Sequence, residues 1–227
     1  MAEAVFAIPG DLKSPTGGYA YDRRVMELLP AFGVNVAHLP LSSAFPNPRA
    51  GDLDHAHREI ARLPKNVTVL LDGLAWGAFP ESYLDCGGRR LIAVVHHPLY
   101  LETGLAHARK VELKASEEAA LARADHVVCT SRATARILRD ELSVDRDKIT
   151  VAEPGTDPAQ RATGTGSPLH MLAVGAISPR KNYESLIEAL SPLGDIDWRL
   201  TIAGALDRHP AAVDSLKAKI DAERLSD

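Results

Sequence analysis

Two adjacent histidines, His96 and His97, directly follow the apolar run LIAVV at residues 91–95. Such a run predicts a buried parallel strand, and open parallel sheets bind their ligands at the carboxyl ends of their strands. An imidazole at that edge can donate a hydrogen bond to a substrate hydroxyl or stabilise a transition state. The alternative is that one ring bonds a loop carbonyl and the other is solvated. We interpret His96 and His97 as candidate catalytic residues and Glu102 as a candidate positioning residue.

Two cations, Arg180 and Lys181, stand where an apolar run ends and a helix is predicted to begin, with Asn182 as its N-cap. Their position is electrostatically unfavourable, because the N-terminal end of a helix already carries a partial positive charge. They are either solvated turn charges or a clamp for an anion at the helix N-terminus. A nucleotide diphosphate bound there would be neutralised jointly by the cations and the free backbone N–H groups. Such a clamp would also stabilise the negative charge that grows on a leaving diphosphate.

A Gly-Gly pair, Gly17 and Gly18, lies in the segment PTGGY after the first apolar run and at the start of a helical pattern. Without Cβ atoms, these residues let a backbone approach a phosphate or a sugar closely. The pair is not part of a G-x-G-x-x-G motif, so the fingerprint of nicotinamide and flavin binding is absent. A purely structural turn is the alternative, and we interpret Gly17 and Gly18 as candidate ligand-binding residues.

No metal or redox site is expected from the spacing of ligand-type residues. His55 and His57 fall in a predicted helix, where residues two apart point in different directions. Cys86 and Cys129 match no metal or redox spacing. Cys129 lies in an apolar run and is predicted to be buried, whereas Cys86 is predicted to lie in a loop. We therefore expect no metal and no cofactor.

Short apolar runs alternate with helical patterns along the chain, which predicts a doubly wound α/β sheet. Strands are predicted at residues 4–8, 35–39, 67–71, 91–95, 126–130 and 148–152. Helices are predicted at residues 18–31, 53–63, 75–84, 105–124 and 131–142. This alternation places the Gly-Gly turn and the histidine pair at the same edge of one sheet.

The segment 153–168 is rich in Gly, Pro, Thr and Ala without periodicity, which is typical of an interdomain linker. After it, strands are predicted at 170–177 and 198–205, and helices at 182–190 and 210–225. We predict a Rossmann-like N-terminal domain at residues 1–153, a linker at 154–168 and a second Rossmann-like domain at 169–227. Two strands are few for an open parallel sheet, so we expect the second domain to be incomplete.

The composition narrows the classes of function. Of the 227 residues, 45% are hydrophobic and 25% are charged, and the formal net charge is -4. A nucleic-acid-binding protein would usually be basic, so that class is not favoured. No signal peptide and no apolar run of ~20 residues is present, and we expect a cytoplasmic protein. In the predicted helix at 107–125, Glu112, Glu117 and Glu118 interleave with basic residues, which favours a solvated face over peripheral membrane contact.

The order and spacing of these motifs resemble those of the retaining glycosyltransferases of family 4, which have the GT-B architecture. The resemblance runs through PTGGY, VVHH, HVVCTSRATARIL and KITVAEPGTD, the last being similar to the family's crossover into its second domain. LAVGAISPRKN resembles the family's phosphate segment V-G-R-x-x-x-x-K-G, and WRLTIAGA resembles the strand after it. The resemblance implies sugar transfer from a nucleotide sugar with retention of configuration and without a required metal.

The resemblance also implies roles for individual residues. His96 matches the family's histidine that contacts the transferred sugar, and His97 is its neighbour. Gly17 and Gly18 would line the donor diphosphate or the acceptor, and Lys181 matches the lysine that binds the diphosphate.

Three features depart from the family pattern. Ala176 stands where the family commonly has an arginine, so Arg180 would have to help Lys181 hold the diphosphate. Glu153 and Thr156 replace residues of the usual crossover. The family's E-x7-E segment, which holds the donor sugar and the ribose, does not occur in this sequence and would lie beyond residue 227.

The sequence therefore predicts a glycosyltransferase that acts on a nucleotide-sugar donor and on a glycan, lipid-linked or small-molecule acceptor. Two alternatives stay open. One is a non-catalytic protein that binds an acceptor or a partner. The other is a sugar-nucleotide epimerase, because such enzymes share the two-domain layout.

Overall fold

The computed structural model describes residues 3–164, 166–207 and 209–226. The chain divides into two compact units, Met1–Thr156 and Asp157–Asp227. Both units combine parallel strands with helices, so the predicted α/β fold class is confirmed. Among the described residues of the segment 154–168, none belongs to a helix or a strand.

The first unit is built on a six-stranded sheet in which every strand pair is parallel. The strand order is β2-β1-β3-β4-β5-β6, with the first strand of the chain near one edge. The strands are β1 (Ala4–Pro9), β2 (Val36–Leu41), β3 (Thr68–Asp72), β4 (Leu91–Val95), β5 (His126–Cys129) and β6 (Ile149–Val151). All six lie where the sequence predicted them.

Helices of the first unit connect these strands. They are α1 (Gly17–Leu28), α2 (Ala50–Arg62), α3 (Gly73–Trp76), α4 (His107–Arg123) and α5 (Arg132–Glu141). The helix predicted at residues 75–84 is wrong, because α3 ends at Trp76 and a separate 3-10 turn covers Glu81–Tyr83. Pro80 explains the break, since proline lacks a backbone N–H and disfavours a helical conformation in the residue before it.

Apolar side chains cover both faces of this sheet. On one face Phe6, Ile8 and Val94 pack with residues of α1. On the other face a larger core includes Trp76 and Phe79, both fully buried. Burial on both faces is what the near-continuous apolar strands predicted. Cys129 is buried as predicted, and Cys86 lies in a loop as predicted and is buried as well.

The second unit contains a two-stranded parallel sheet, β7 (Leu169–Val174) and β8 (Trp198–Ala203), with helices α6 (Tyr183–Leu190) and α7 (Pro210–Ala222). Its core consists of Ile177, Tyr183, Ile187, Val213 and Leu216. No helix in the described parts of either unit is long and apolar enough to span a bilayer.

Candidate functional site

Three ionisable side chains converge at the carboxyl edge of the first sheet. Asp72 ends β3, His96 follows β4, and Asp22 projects from α1. One ligand-type atom from each residue lies within 4.8 Å of the others. We call Asp22, Asp72 and His96 the edge cluster. The sequence predicted the place of His96, but it did not single out either aspartate.

The start of α1 brings Asp22 to this edge. The hydroxyl of Thr16 accepts a hydrogen bond from the Tyr19 N–H at 3.2 Å and caps the helix. A Cβ atom added to Gly18 would lie 3.4 Å from Cδ2 of His96, so the missing side chain lets the helix pack closely on the imidazole. A Cβ added to Gly17 would meet nothing within 4 Å. The two glycines therefore have different surroundings, and only Gly18 touches the edge cluster.

His96 is held by a direct contact with a buried carboxylate. Its Nε2 lies 2.9 Å from Oδ1 of Asp22, whose side chain is fully buried, while the His96 side chain is 23% exposed. Tyr21 contacts the imidazole edge-on, with ring centroids 5.4 Å apart. The second carboxylate oxygen of Asp22 is buried and has no hydrogen-bond partner among the described residues.

The second ring nitrogen of His96, Nδ1, is open to a ligand. No hydrogen bond joins it to the described part of the chain, and it is not among the buried atoms that lack a partner. It is therefore not fully enclosed by the described residues. The imidazole is thus fixed by one nitrogen and free to bind through the other.

Charge and burial shift the proton affinities in the edge cluster. The pKa of Asp72 is raised to about 6, first by burial and then by the neighbouring charge of Asp22. Burial by itself lowers the pKa of His96, but the hydrogen bond and charge of Asp22 and the charge of Asp72 outweigh it and raise that pKa above its ordinary value. Two carboxylates around one imidazole therefore favour the imidazolium.

Carboxylate oxygen and imidazole nitrogen are also atom types that divalent cations accept. In the edge cluster, however, the 2.9 Å between Nε2 of His96 and Oδ1 of Asp22 is a hydrogen-bond distance. A proton between the two atoms accounts for the contact without an ion. Elsewhere in the described residues, no comparable group of three such side chains occurs.

His97 and Glu102 lie apart from the edge cluster. Nε2 of His97 is 3.9 Å from Oε1 of Glu102, and the two side chains are 40% and 47% exposed. An ion pair this exposed contributes little to stability. The predicted histidine pair is therefore divided, with His96 in the edge cluster and His97 beside Glu102 near solvent.

A buried glutamate supports the turn that follows the histidines. Glu117 of α4 accepts hydrogen bonds from the backbone N–H groups of Leu99 at 2.7 Å and Tyr100 at 3.0 Å. Burial raises its pKa to about 7 despite these two bonds. The prediction that Glu117 lies on a solvated helix face is wrong, because α4 turns this residue toward the 3-10 turn at Leu99–Leu101.

The two cations of the second unit lie on a 3-10 turn, Pro179–Lys181, and not inside α6. Both Arg180 and Lys181 are exposed, and neither forms an ion pair within the described chain. Asn182 occupies the predicted N-cap position in the left-handed conformation, with a φ of 49°. Its side chain does not cap the helix as predicted, because Nδ2 donates to the hydroxyl of Ser185 at 2.8 Å.

Two glycines line the carboxyl edge of the second sheet beside these cations. A Cβ added to Gly175 would lie 3.2 Å from Cε of Lys181, and one added to Gly204 would lie 1.8 Å from the carbonyl oxygen of Gly175. The Tyr183 hydroxyl donates to that same oxygen at 3.0 Å. These two glycines were not predicted as site residues, although each directly follows an apolar strand.

Comparison with known proteins gives a family and a fold. The model of Glycosyltransferase Family 4 matches residues 15–160, which is more than half of the chain. A search of curated proteins gave no match.

Solved structures with the same fold include a glycosyltransferase from Rickettsia africae ESF-5, with 18% identity and a TM-score of 0.69 over 100% of this chain and 66% of that one. They also include the lipopolysaccharide outer core galactosyltransferase WaaB in its apo form, with 12% identity and a TM-score of 0.59 over 98% of this chain and 65% of that one. A third is a mutant of S. aureus TarM in complex with Fondaparinux, alpha-GlcNAc-glycerol and UDP, with 13% identity and a TM-score of 0.52 over 77% of this chain and 35% of that one.

These similarities confirm the predicted GT-B-like class of fold. The chain spans about two thirds of the length of the first two structures, 66% and 65%. The resemblance noted in the sequence is confirmed by the family match across the first unit. The chain belongs to glycosyltransferase family 4.

Proposed function

We propose that the protein is a glycosyltransferase that moves a sugar from a nucleotide-sugar donor to an acceptor with retention of configuration. Family membership supports the class of reaction. One observation carries the assignment of the site: His96 is fixed at the carboxyl edge of the sheet by buried Asp22, with its Nδ1 open. This edge is where open α/β sheets bind ligands.

His96 is the residue of the first unit that contacts the transferred sugar in this proposal. A hydrogen bond from the imidazole to a sugar oxygen orients the donor and excludes poses that cannot react. The hydrogen bond to Asp22 fixes the ring before the ligand arrives, so little ordering is required during the reaction. His97 and Glu102 lie near solvent and stay candidates for the catalytic and positioning roles predicted from the sequence.

Arg180 and Lys181 bind the donor diphosphate in this proposal. Both are exposed and free of ion pairs within the described residues, so their charges are available to a ligand. The S. aureus TarM complex contains UDP, a nucleoside diphosphate. When the sugar departs, negative charge grows on the diphosphate, and two nearby cations stabilise that charge. The acceptor in this proposal is a glycan, a lipid-linked molecule or a small molecule.

The test is an assay of the whole protein with a panel of nucleotide sugars and acceptors. We expect one donor to release its nucleoside diphosphate in an acceptor-dependent manner, with the sugar recovered on the acceptor in the same anomeric configuration. The His96→Ala variant tests the assignment of the site. Its turnover should fall by about a hundredfold or more, as for the loss of a positioned catalytic group.

Two outcomes would contradict the proposal. An epimerised nucleotide sugar recovered without release of the diphosphate would indicate an epimerase. Failure of every donor in the panel to bind would indicate a protein that binds an acceptor or a partner without catalysing transfer.

A further inference from the structure

His96 can act on a ligand in two opposite ways. As a neutral imidazole with its proton on Nε2, it would accept a hydrogen bond or a proton at Nδ1. As an imidazolium it would donate a hydrogen bond from Nδ1. The two states give the site different chemistry, and the surroundings of the ring distinguish them.

The side chains described around the imidazole are either negatively charged or neutral. Asp22 of α1 contacts Nε2 directly, and Asp72 at the end of β3 completes the edge cluster. The neutral neighbours are Tyr21, which packs against the ring, and the Thr130 hydroxyl, which donates to the His96 carbonyl at 3.4 Å. The thiol of buried Cys129 lies close enough to Tyr21 to interact with it electrostatically.

Among the described residues, no cation other than His96 is available to balance the two aspartates. Neither carboxylate forms an ion pair with a lysine or an arginine in the described residues, and the contact with His96 is the ion pair that involves Asp22. Asp72 accepts the Leu74 N–H at 2.7 Å, which satisfies one of its oxygens but brings no formal charge. A buried carboxylate without a compensating charge is unfavourable, so a protonated His96 is the partner that the cluster requires.

We propose that Asp22 is a positioning residue that, together with Asp72, holds His96 as an imidazolium, so that His96 binds its ligand as a hydrogen-bond donor through Nδ1 and does not act as a base. The inference rests on the proposed function in one respect, which is the identity of the group that His96 binds. In that function the group is an oxygen atom of the nucleotide sugar. A donor at this position binds lone pairs of a hydroxyl or a phosphoryl oxygen. It also carries a positive charge that favours an anionic leaving group.

The charge state of His96 is measurable without substrate. We would record the ring nitrogen signals of the whole protein by ¹⁵N NMR between pH 5 and 9 and assign His96 with the His96→Gln variant. We expect both ring nitrogens to remain protonated above the ordinary histidine pKa. Asp22→Asn keeps the shape and a hydrogen-bond acceptor but removes the charge, and it should lower the pKa of His96 by about one unit or more.

Glu27→Gln is the matched control, because Glu27 lies on the same helix, is exposed and pairs with Arg24 instead of with the edge cluster. It should leave the His96 titration unchanged. In the transfer assay, Asp22→Asn should lower kcat more than it changes KM. It should also shift the limb of the pH–rate profile that reports His96 by the same number of pH units as the NMR titration of His96. A purely structural role for Asp22 predicts no such shift.

Three results would overturn the inference. One is a His96 pKa at or below the ordinary histidine value in the unmodified protein, a measurement that decides the matter even if Asp22→Asn does not fold. Another is a folded Asp22→Asn variant with an unchanged His96 titration. The third is loss of the Nε2 proton signal on addition of Zn²⁺ or Mg²⁺ alone, which would make the edge cluster a cation site. Because none of these requires transfer activity, failure of the proposed function remains a separate result.

Discussion

At the scale of single residues, the edge cluster concentrates ionisable groups in a buried place. Asp22 is fully buried, and one of its oxygens has no partner among the described residues. An unsatisfied buried acceptor of this kind costs about 1–3 kcal/mol. Groups that carry such a cost are common at functional sites, where a poised proton or an open ring nitrogen has a use.

Replacing His96 by alanine leaves two buried carboxylates without their cation. We expect His96→Ala to lower the free energy of unfolding by about 3 kcal/mol at pH 7.5. Urea denaturation followed by Trp76 fluorescence, in a Trp198→Phe background, would measure the loss.

His97→Ala is the control, because that side chain is 40% exposed and lies outside the edge cluster. Its effect should stay within about 0.5 kcal/mol, as for other exposed positions. A loss for His96→Ala no larger than that for His97→Ala would show that the carboxylates do not depend on the charge of His96. In the transfer assay, His96→Ala should lower turnover more than donor affinity.

Lys181 gives a second prediction at this scale. Removal of a charge-assisted hydrogen bond costs about 1.5–3 kcal/mol, so Lys181→Ala should weaken binding of the donor diphosphate by about tenfold to a hundredfold. Arg180→Ala should weaken it as well. Isothermal titration with the nucleoside diphosphate of the active donor measures the effect. Lys217→Ala, which removes an exposed cation from α7 of the same unit, is the control. Unchanged affinity in Lys181→Ala would rule out the proposed clamp.

At the scale of elements, α4 supports the loop that carries the histidines. Its Glu117 accepts two hydrogen bonds from backbone N–H groups of the turn at Leu99–Leu101. This turn begins three residues after His96. Gly77 makes room for this side chain, because a Cβ there would lie 2.7 Å from Cγ of Glu117. One helix, one turn and one glycine thus fix where the loop leaves the sheet.

Glu117→Gln tests this support. A glutamine offers one acceptor oxygen where Glu117 offers two, so one N–H of the turn loses its partner, and we expect a loss of about 1–3 kcal/mol in the free energy of unfolding. The control is Glu112→Gln on the exposed face of the same helix, a substitution that removes only an ion pair with Arg109. Hydrogen exchange should also become faster at Leu99 and Tyr100 in Glu117→Gln. If both amides exchange as slowly in Glu117→Gln as in the unmodified protein, the role assigned to Glu117 is wrong.

The sequence was sufficient to predict the strands, because apolar residues on both faces leave few alternatives to a covered parallel sheet. It was also sufficient to place His96, which directly follows a strand. It could not identify Asp22 or Glu117, since each reads as an ordinary charged residue on a helix and only tertiary packing turns it inward. Asp72 was within reach of the same argument as His96, because it ends the neighbouring strand β3. The separation of His97 from the edge cluster required the loop conformation.

At the scale of the whole molecule, several buried groups hold protons more tightly in the folded state than in the unfolded chain. The pKa of Glu117 is raised to about 7 and that of Asp72 to about 6, mainly by burial. The pKa of His96 is raised as well. Since a raised folded pKa gives stability at low pH that is lost as pH increases, all three act in the same direction. Asp52, Asp140 and Glu223 have lowered pKa values and act the other way, but Asp140 is exposed and Asp52 and Glu223 are only partly buried, so their effects are small.

We therefore expect the free energy of unfolding to fall as pH rises from about 4.5 to about 7, with Glu117 alone contributing roughly 3 kcal/mol over that interval. Urea denaturation at a series of pH values would record the slope. Glu117→Gln should flatten it, whereas Glu112→Gln should not. A free energy of unfolding that increases with pH across this window would mean that the carboxylates are stabilised in their charged form.

The close approach of Gly204 to the backbone of Gly175 limits which residues can occupy position 204 during evolution. Because even a methyl group at Gly204 would overlap the carbonyl oxygen of Gly175, every substitution there disturbs the end of β8 whatever ligand the protein binds. Gly17 has open space around it and tolerates a side chain sterically. Through gene duplication and divergence, Gly204 should therefore persist in descendants with new substrates, while Gly17 should change along with the ligand.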